Sequence, residues 1–235
     1  MIAYQDKPLD YYTDLLNRNR PFAFYRFGDG EWSAMLGRLG HNCDHHQYSP
    51  ALGEDLRRAL AYASLSDEAV IGLQPLVLTL MASEVEAALQ KFPPIRWVDA
   101  DVFHVASIEG RLFPLIEILR RSPLVIIGPS YLRKIVNVFP HYEEFIEVPE
   151  RNCYLDKNRI RDEVLAWGST KGQRSIYAFS CSMLAEVLIS ELSSLLPNAT
   201  LIDFGSLWDP FVSHPTRPYH REMTKATMER NLRKE

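Results

Sequence analysis

A chain of 235 residues is long enough for one large domain with a substantial core, or for two small ones. Its 46% apolar and 24% charged content is that of a globular protein, not a disordered or fibrous one. A net charge of −4 argues against general nucleic-acid binding, and three widely spaced cysteines (Cys43, Cys153, Cys181) imply no disulfide framework. The N-terminal residues lack a basic region followed by an apolar run, and the longest apolar stretch, around Leu76 to Ala82, falls far short of the ~20 residues that cross a bilayer. The expectation is a cytoplasmic protein with no nucleic-acid partner and no integral membrane segment.

Pro8 to Arg20 reads as a first helix, with Leu9, Tyr12, Leu15 and Leu16 on one face. An apolar strand at 22–27 runs into Arg26-Phe27-Gly28-Asp29-Gly30-Glu31, and helical spacing then predicts a helix from about 31 to 39. A polar loop over 40–48 precedes Ser49-Pro50, a cap-plus-Pro start for a helix to about Ser64. A strand at 69–73, a helix at 75–91 stopped by Pro93-Pro94, and a strand at 95–98 follow. The second half predicts a helix at 108–121, a strand at 124–127 ending in Gly128-Pro129-Ser130, a helix at 131–138 and a strand near 145–148. A helix at 156–167, with Gly168 and Gly172 bounding its exit, leads to a strand at 174–179, a helix at 182–196 and a strand at 200–204. The remainder is rich in Trp, Pro, Tyr and His and ends in a short charged helix. This alternation predicts an α/β fold: one three-layer α/β/α, Rossmann-like domain over 1–235 with a mostly parallel sheet, closed by residues 206–235.

Ligands of open α/β sheets lie beyond the carboxyl ends of the strands. The exits here are Arg26 to Glu31, Gly128-Pro129-Ser130, Ser180-Cys181-Ser182 and Asp203 to Asp209, a set of small residues, hydroxyls, acids and one arginine suited to a phosphate-bearing ligand with a metal. Neither a Gly-x-x-x-x-Gly-Lys-Ser/Thr nor a Gly-x-Gly-x-x-Gly motif is present. Helical residues two apart do not face each other, so Asp29 and Glu31 reach one cation only if 29–31 is extended or turning, which Gly28 and Gly30 permit. A hard ion, Mn2+ or Mg2+, completed by ligand phosphates suits that pair. Spacing leaves a second reading equally open, with Asp29 as a helix N-cap and Glu31 as a first-turn acid. Arg26 is correspondingly a diphosphate partner or a salt bridge to Asp29.

Arg26-Phe27-Gly28-Asp29-Gly30-Glu31 after an apolar strand resembles the signature of the GT-D-fold glycosyltransferases, and the likeness extends loosely over most of the chain through the other exits. The resemblance implies an Asp-x-Glu motif serving a divalent metal and the diphosphate of a nucleotide sugar, typically a UDP-sugar. Matched by position, Asp29 and Glu31 become the catalytic and metal residues, with Arg26, Gly28 and Gly30 lining the same pocket. The turn Ser180-Cys181-Ser182 departs from a close-approach turn in having no glycine. The implied activity is metal-dependent transfer of a hexose from a nucleotide sugar donor to a hydroxyl of a glycan or glycoprotein acceptor. A metal-dependent phosphohydrolase or nucleotidyltransferase using the same acids, and a non-catalytic nucleotide-binding module, are the alternatives.

Further candidates join this set. Ser130 and Ser182 offer hydroxyls at strand exits, Asp209 a carboxylate to take the acceptor proton, and Trp208 a face to stack on a base or sugar, or else a core anchor. Residues 214–235 carry six basic and three acidic side chains, from which Arg217 and His220 are expected to fold over the site. His41, Cys43, Asp44, His45 and His46 match no common zinc spacing and read as a polar loop. Cys181 reads as a buried small residue, because no nucleophile-elbow pattern surrounds it.

Overall fold

The computed structural model describes residues 2–170 and 174–233, so the predicted boundary residue Gly172 lies outside the described residues. Strands β1 (Ala23–Phe27), β2 (Ala69–Leu73), β3 (Trp97–Asp99), β4 (Leu124–Pro129), β5 (Glu144–Val148), β6 (Ile176–Phe179) and β7 (Thr200–Asp203) form one sheet in the order β3-β2-β1-β7-β6-β4-β5. Every pairing is parallel, where the sequence predicted mostly parallel. The cause is connectivity: each successive strand is reached by a helical crossover, which only a parallel neighbour requires.

Helices cover both faces: α1 (Leu9–Asn17), α2 (Asp29–Met35), α3 (Pro50–Ser64), α4 (Pro75–Leu89), α5 (Val102–Ile108), α6 (Phe113–Arg121), α7 (Lys157–Thr170), α8 (Leu184–Ser193) and α9 (Lys225–Leu232). Period-2 alternation sorts the strand side chains between them. Tyr25, Phe27, Ile71, Leu73 and Leu201 share a core with α2, α3, α4, α7 and α8. Phe24, Val70, Ile126 and Ile202 share the other with α1, α5, α6 and a 3-10 helix at Ser130–Asn137. In that second core Tyr12, Phe24 and Phe103 meet with ring centroids 5.1–5.3 Å apart. Each fully buried ring of this kind stabilises by about 1.5–3 kcal/mol.

Two elements differ from expectation. The helix predicted over 108–121 starts only at Phe113 as α6, because Gly110 takes φ +76°, and α5 over Val102–Ile108 is a further helix that the sequence reading did not predict. In α5 the buried face includes His104 and Ser107 beside Phe103 and Ala106, so polar residues interrupt the apolar stripe. The segment 130–137 winds as a 3-10 rather than an α-helix.

From β1 the chain steps outward through β2 to β3, crosses to β4 and β5, and returns through β6 to set β7 beside β1. The crevice of this sheet therefore lies between β1 and β7, where strand order reverses. The β1–β7 ladder covers Ala23↔Leu201 and Phe24↔Ile202, whereas β1 and β2 stay paired through Phe27↔Leu73. Beyond Phe24, β1 has a paired neighbour on one side and an opening on the other.

Candidate functional site

The opening is lined by the first motif. Gly28, in extended conformation at φ −98° and ψ −168°, is the N-cap of α2, and Asp29 is its first residue. Residues 29–31 are thus the first helical turn, which corrects the expectation of an extended 29–31, and the cap is Gly28 rather than Asp29. Glu31 turns back so that Oε2 accepts the Gly28 N–H at 2.8 Å, half of a capping box that a glycine cannot complete. A Cβ at Gly28 would stand 3.0 Å from Gln74 Oε1 and 3.1 Å from Glu31 Oε2, so any side chain there would disturb this cap. Gly30 is buried, with Met183 and Asn42 against it. Asp29 is exposed, and its carboxylate has no hydrogen-bond partner among the described residues.

Arg26 is held at the base of the crevice. Its Nε donates to the Ala100 carbonyl at 3.0 Å, Nη2 to Asp101 Oδ1 at 3.3 Å, and Nη1 lies 3.6 Å from Asp203 Oδ2. It makes no salt bridge to Asp29; its ion-pair partners come from the exits of β3 and β7. Burial works against the guanidinium, but Asp203 and Asp101 outweigh it and hold its pKa above the ordinary value. Glu31 is pushed up to about 7 by burial and by Asp203, against the pull of Gly28 N–H and Arg26. Burial also raises Asp203 above its ordinary value, although Arg26 and the Gly205 N–H, which donates to Oδ1 at 2.8 Å, draw it down. Glu186 of α8 completes the cluster: it is fully buried, and Oε1 accepts the Arg26 backbone N–H at 3.2 Å. Two buried acids, Asp203 and Glu186, and the half-buried Glu31 thus surround the half-buried Arg26, a negative excess in low dielectric that favours either protons or a bound cation.

Two segments close over this cluster. The loop 41–48 is organised by Asn42, whose Oδ1 accepts the N–H of Asp44 and of His46, each at 3.0 Å, and whose Nδ2 donates to Ser182 Oγ at 2.8 Å. Ser182 takes φ +55°, the left-handed conformation usually left to glycine, so the glycine-free turn is built by a serine that the asparagine secures. The C-terminal segment meets this loop where Arg217 grips both oxygens of Asp44, Nη1 to Oδ1 at 2.6 Å. Tyr219 shares a hydrogen bond with Ser206 Oγ at 2.8 Å and stands edge-on to the buried His104.

Other predicted residues lie elsewhere. Trp208 is buried against Phe139, Phe204 and Phe211, so it is a core anchor with no open face for a base or sugar. His220 is buried too: Nδ1 accepts the N–H of Thr216 and Arg217 at 3.0 and 3.1 Å, which fixes the turn rather than a ligand. Burial and Arg217 lower its pKa to about 4, so it stays neutral. Ser130 follows β4, separated from β1 by β7 and β6, and its hydroxyl donates to Glu150 at 3.1 Å. Asp209 is buried and accepts from Tyr131 Oη at 3.1 Å and Thr216 Oγ1 at 2.5 Å; burial pushes it up to about 7. Cys181 is buried, and burial raises its thiol well above the ordinary range, the reverse of an activated nucleophile. The His41 and His45 rings meet at a tilt, 4.8 Å apart, and no three His, Cys, Asp or Glu side chains group as an ion cage among the described residues.

Sequence reading missed Glu186, Asp101 and Asn42. Glu186 carried a signal, a lone acid in the apolar run Leu184-Ala185-Glu186-Val187-Leu188-Ile189. Asp101 and Asn42 carried none, since acids and amides in loops are ordinary.

No protein-family model matches the sequence, and no curated protein matches it. Among solved structures, the chain is similar to one described as a new glycosyltransferase (DUF1792) from Streptococcus sanguinis, with a TM-score of 0.69 and 17% identity over 92% of this chain and 87% of that one. Two further structures, each with a TM-score of 0.63 and 17% identity over 99% of this chain and 91% of theirs, are described as domain of unknown function 1792 in selenomethionine-substituted form, and as that domain with a distinct glycosyltransferase fold. The likeness extends over nearly the whole chain, and at this identity it is a likeness of fold: the chain has the α/β fold of these glycosyltransferase-fold structures.

Proposed function

We propose that this protein is a metal-dependent glycosyltransferase that moves a hexose from a nucleotide diphosphate sugar, a UDP-sugar by resemblance, to a hydroxyl of a glycan or glycoprotein. One observation carries the reading: Arg26 and the Asp29–Glu31 pair stand at the β1/β7 switch point of a fold shared with glycosyltransferase-fold structures. A divalent cation fits the donor set. Asp29 is unpartnered among the described residues, and Glu31 belongs to a cluster whose acids outnumber Arg26. Asp29 would hold Mn2+ or Mg2+ with its free carboxylate, the remaining ligands coming from diphosphate oxygens and water, while Glu31 stays on the Gly28 N–H. When bound, the ion supplies electrostatic stabilisation to the departing diphosphate.

The chain's own residues bind and orient. Of the Arg26 nitrogens, Nη1 is the least engaged, at ion-pair distance from Asp203, and is the donor free to meet a phosphate oxygen. Arg217 adds a second guanidinium from the closing segment once it leaves Asp44. Gly28 and Gly30 keep the motif's turn free of side chains, and Ser182 secures the neighbouring turn through Asn42. Asp209 anchors the closing segment, its two carboxylate oxygens accepting from Tyr131 and Thr216.

Titration calorimetry with UDP, with and without Mn2+, followed by a donor-hydrolysis screen across nucleotide sugars, tests the proposal. Metal-dependent UDP binding with slow sugar release supports it. Binding without turnover favours a nucleotide-binding module, and phosphate release without sugar transfer favours a phosphohydrolase. An Asp29→Ala, Glu31→Ala double variant that folds and binds UDP with unchanged metal dependence overturns the site assignment.

A further inference from the structure

Glu186 sits where the sheet parts. The even-numbered residues of β1 face β7, as the Leu201 N–H donating to the Phe22 carbonyl shows, while Phe27 serves β2 by accepting the Gln74 N–H. By this alternation the Arg26 N–H points toward β7, but the ladder has ended at Phe24↔Ile202. A side chain takes the missing strand's place: Glu186 Oε1 accepts the Arg26 N–H at 3.2 Å. The other oxygen, Oε2, is buried and has no donor among the described residues, and the carboxyl faces Asp203, the same acid that pairs with Arg26 Nη1. An acid fully enclosed in an apolar helix face is costly unless its position is used.

We infer that Glu186 is a positioning residue that holds the β1/β7 crevice open and fixes Arg26 from both ends, its backbone directly and its guanidinium through Asp203. This inference rests on the crevice being the diphosphate site. Two carboxyl oxygens can meet without a donor between them only if one carries a proton, and burial with the Asp203 charge raises Glu186 well above the ordinary range, so Glu186 is the donor and Asp203 the anion. A glutamine reproduces that state, with an oxygen for the Arg26 N–H and an N–H for Asp203; a leucine supplies neither.

The experiment compares wild type, Glu186→Gln and Glu186→Leu by amide hydrogen exchange and by UDP titration with Mn2+. Exchange at Arg26 is expected to stay slow in Glu186→Gln and to accelerate in Glu186→Leu, beyond any general change across β1. UDP affinity is expected to hold in the glutamine variant and to fall on the order of tenfold in the leucine variant, the usual cost of losing a supporting contact. Should Glu186→Leu fail to fold, Glu186→Ala is read the same way. Equal protection of Arg26 in all variants overturns the inference even if UDP does not bind. Absence of UDP binding by wild type overturns the functional reading and leaves the exchange result to decide the positioning role. A Glu186→Gln variant as damaged as Glu186→Leu also overturns it.

Discussion

At Gly205 the backbone takes φ +52°, and a Cβ there would collide with the Arg26 guanidinium. Gly205→Ala is therefore expected to lose about 1–3 kcal/mol from backbone strain and to displace Arg26, read as a lower denaturant midpoint with weakened UDP binding. Asp209 gives a pH test. Burial raises its pKa to about 7 against an ordinary 3.8, with Thr216, Tyr131 and Arg217 drawing it down and Asp44 pushing it up. The folded state keeps a proton that the unfolded chain releases near pH 4, so this stabilising contribution is full below about pH 4 and is lost as pH rises to about 7. Asp209→Asn has no such proton, and its unfolding midpoint is expected to fall less than that of wild type between about pH 4 and 7. An identical pH profile for the two proteins would show that Asp209 titrates normally.

Between elements, the charged pair of Arg217 and Asp44 ties the closing segment to loop 41–48. In this arrangement Asp44 competes with any phosphate for Arg217. Asp44→Asn is expected to strengthen UDP binding about two- to fivefold and Arg217→Ala to weaken it about tenfold, both by calorimetry. Opposite signs are the discriminating outcome, because a purely structural clamp would weaken binding in both variants. A second junction lies at α9, where buried Asn231 donates from Nδ2 to the Ser107 carbonyl at 2.7 Å and accepts the Leu112 N–H at 2.9 Å. Asn231→Leu leaves the Leu112 N–H buried without its partner, while the Ser107 carbonyl keeps the Gly110 N–H at 3.1 Å, and a loss of about 1–3 kcal/mol is expected in urea unfolding.

Across the whole molecule, one sheet joins the first strand of the chain to the last, and helices on both faces share it. Trp32 lies in one core and Trp208 in the other, so tryptophan fluorescence reports on both while far-UV circular dichroism reports on the helices. Coincident urea transitions by the two probes are expected for a single cooperative unit. Separate transitions would mean that the cores unfold as independent units. The same closure explains where the site forms: β7, the last strand to be made, inserts beside β1 and brings Asp203 and Gly205 to a motif placed near the start of the chain.

Local pattern alone determined the alternation of strands and helices, the strand exit at Arg26 to Glu31, and the α/β class, because apolar periodicity and Gly/Pro punctuation act over a few residues. It left the conformation of 29–31 open, since extended chain and a first helical turn satisfy the same spacing; the Glu31 contact to Gly28 decided for the helix. It could not separate a stacking Trp208 from a core one, or a ligand-binding His220 from a turn-fixing one, because burial depends on what the rest of the chain packs around them. Nor could it assemble Arg26, Glu186 and Asp203, which stand far apart in sequence and meet only where β7 docks beside β1. Pairing across such separations is a property of topology, and topology is set by which apolar faces can be buried together.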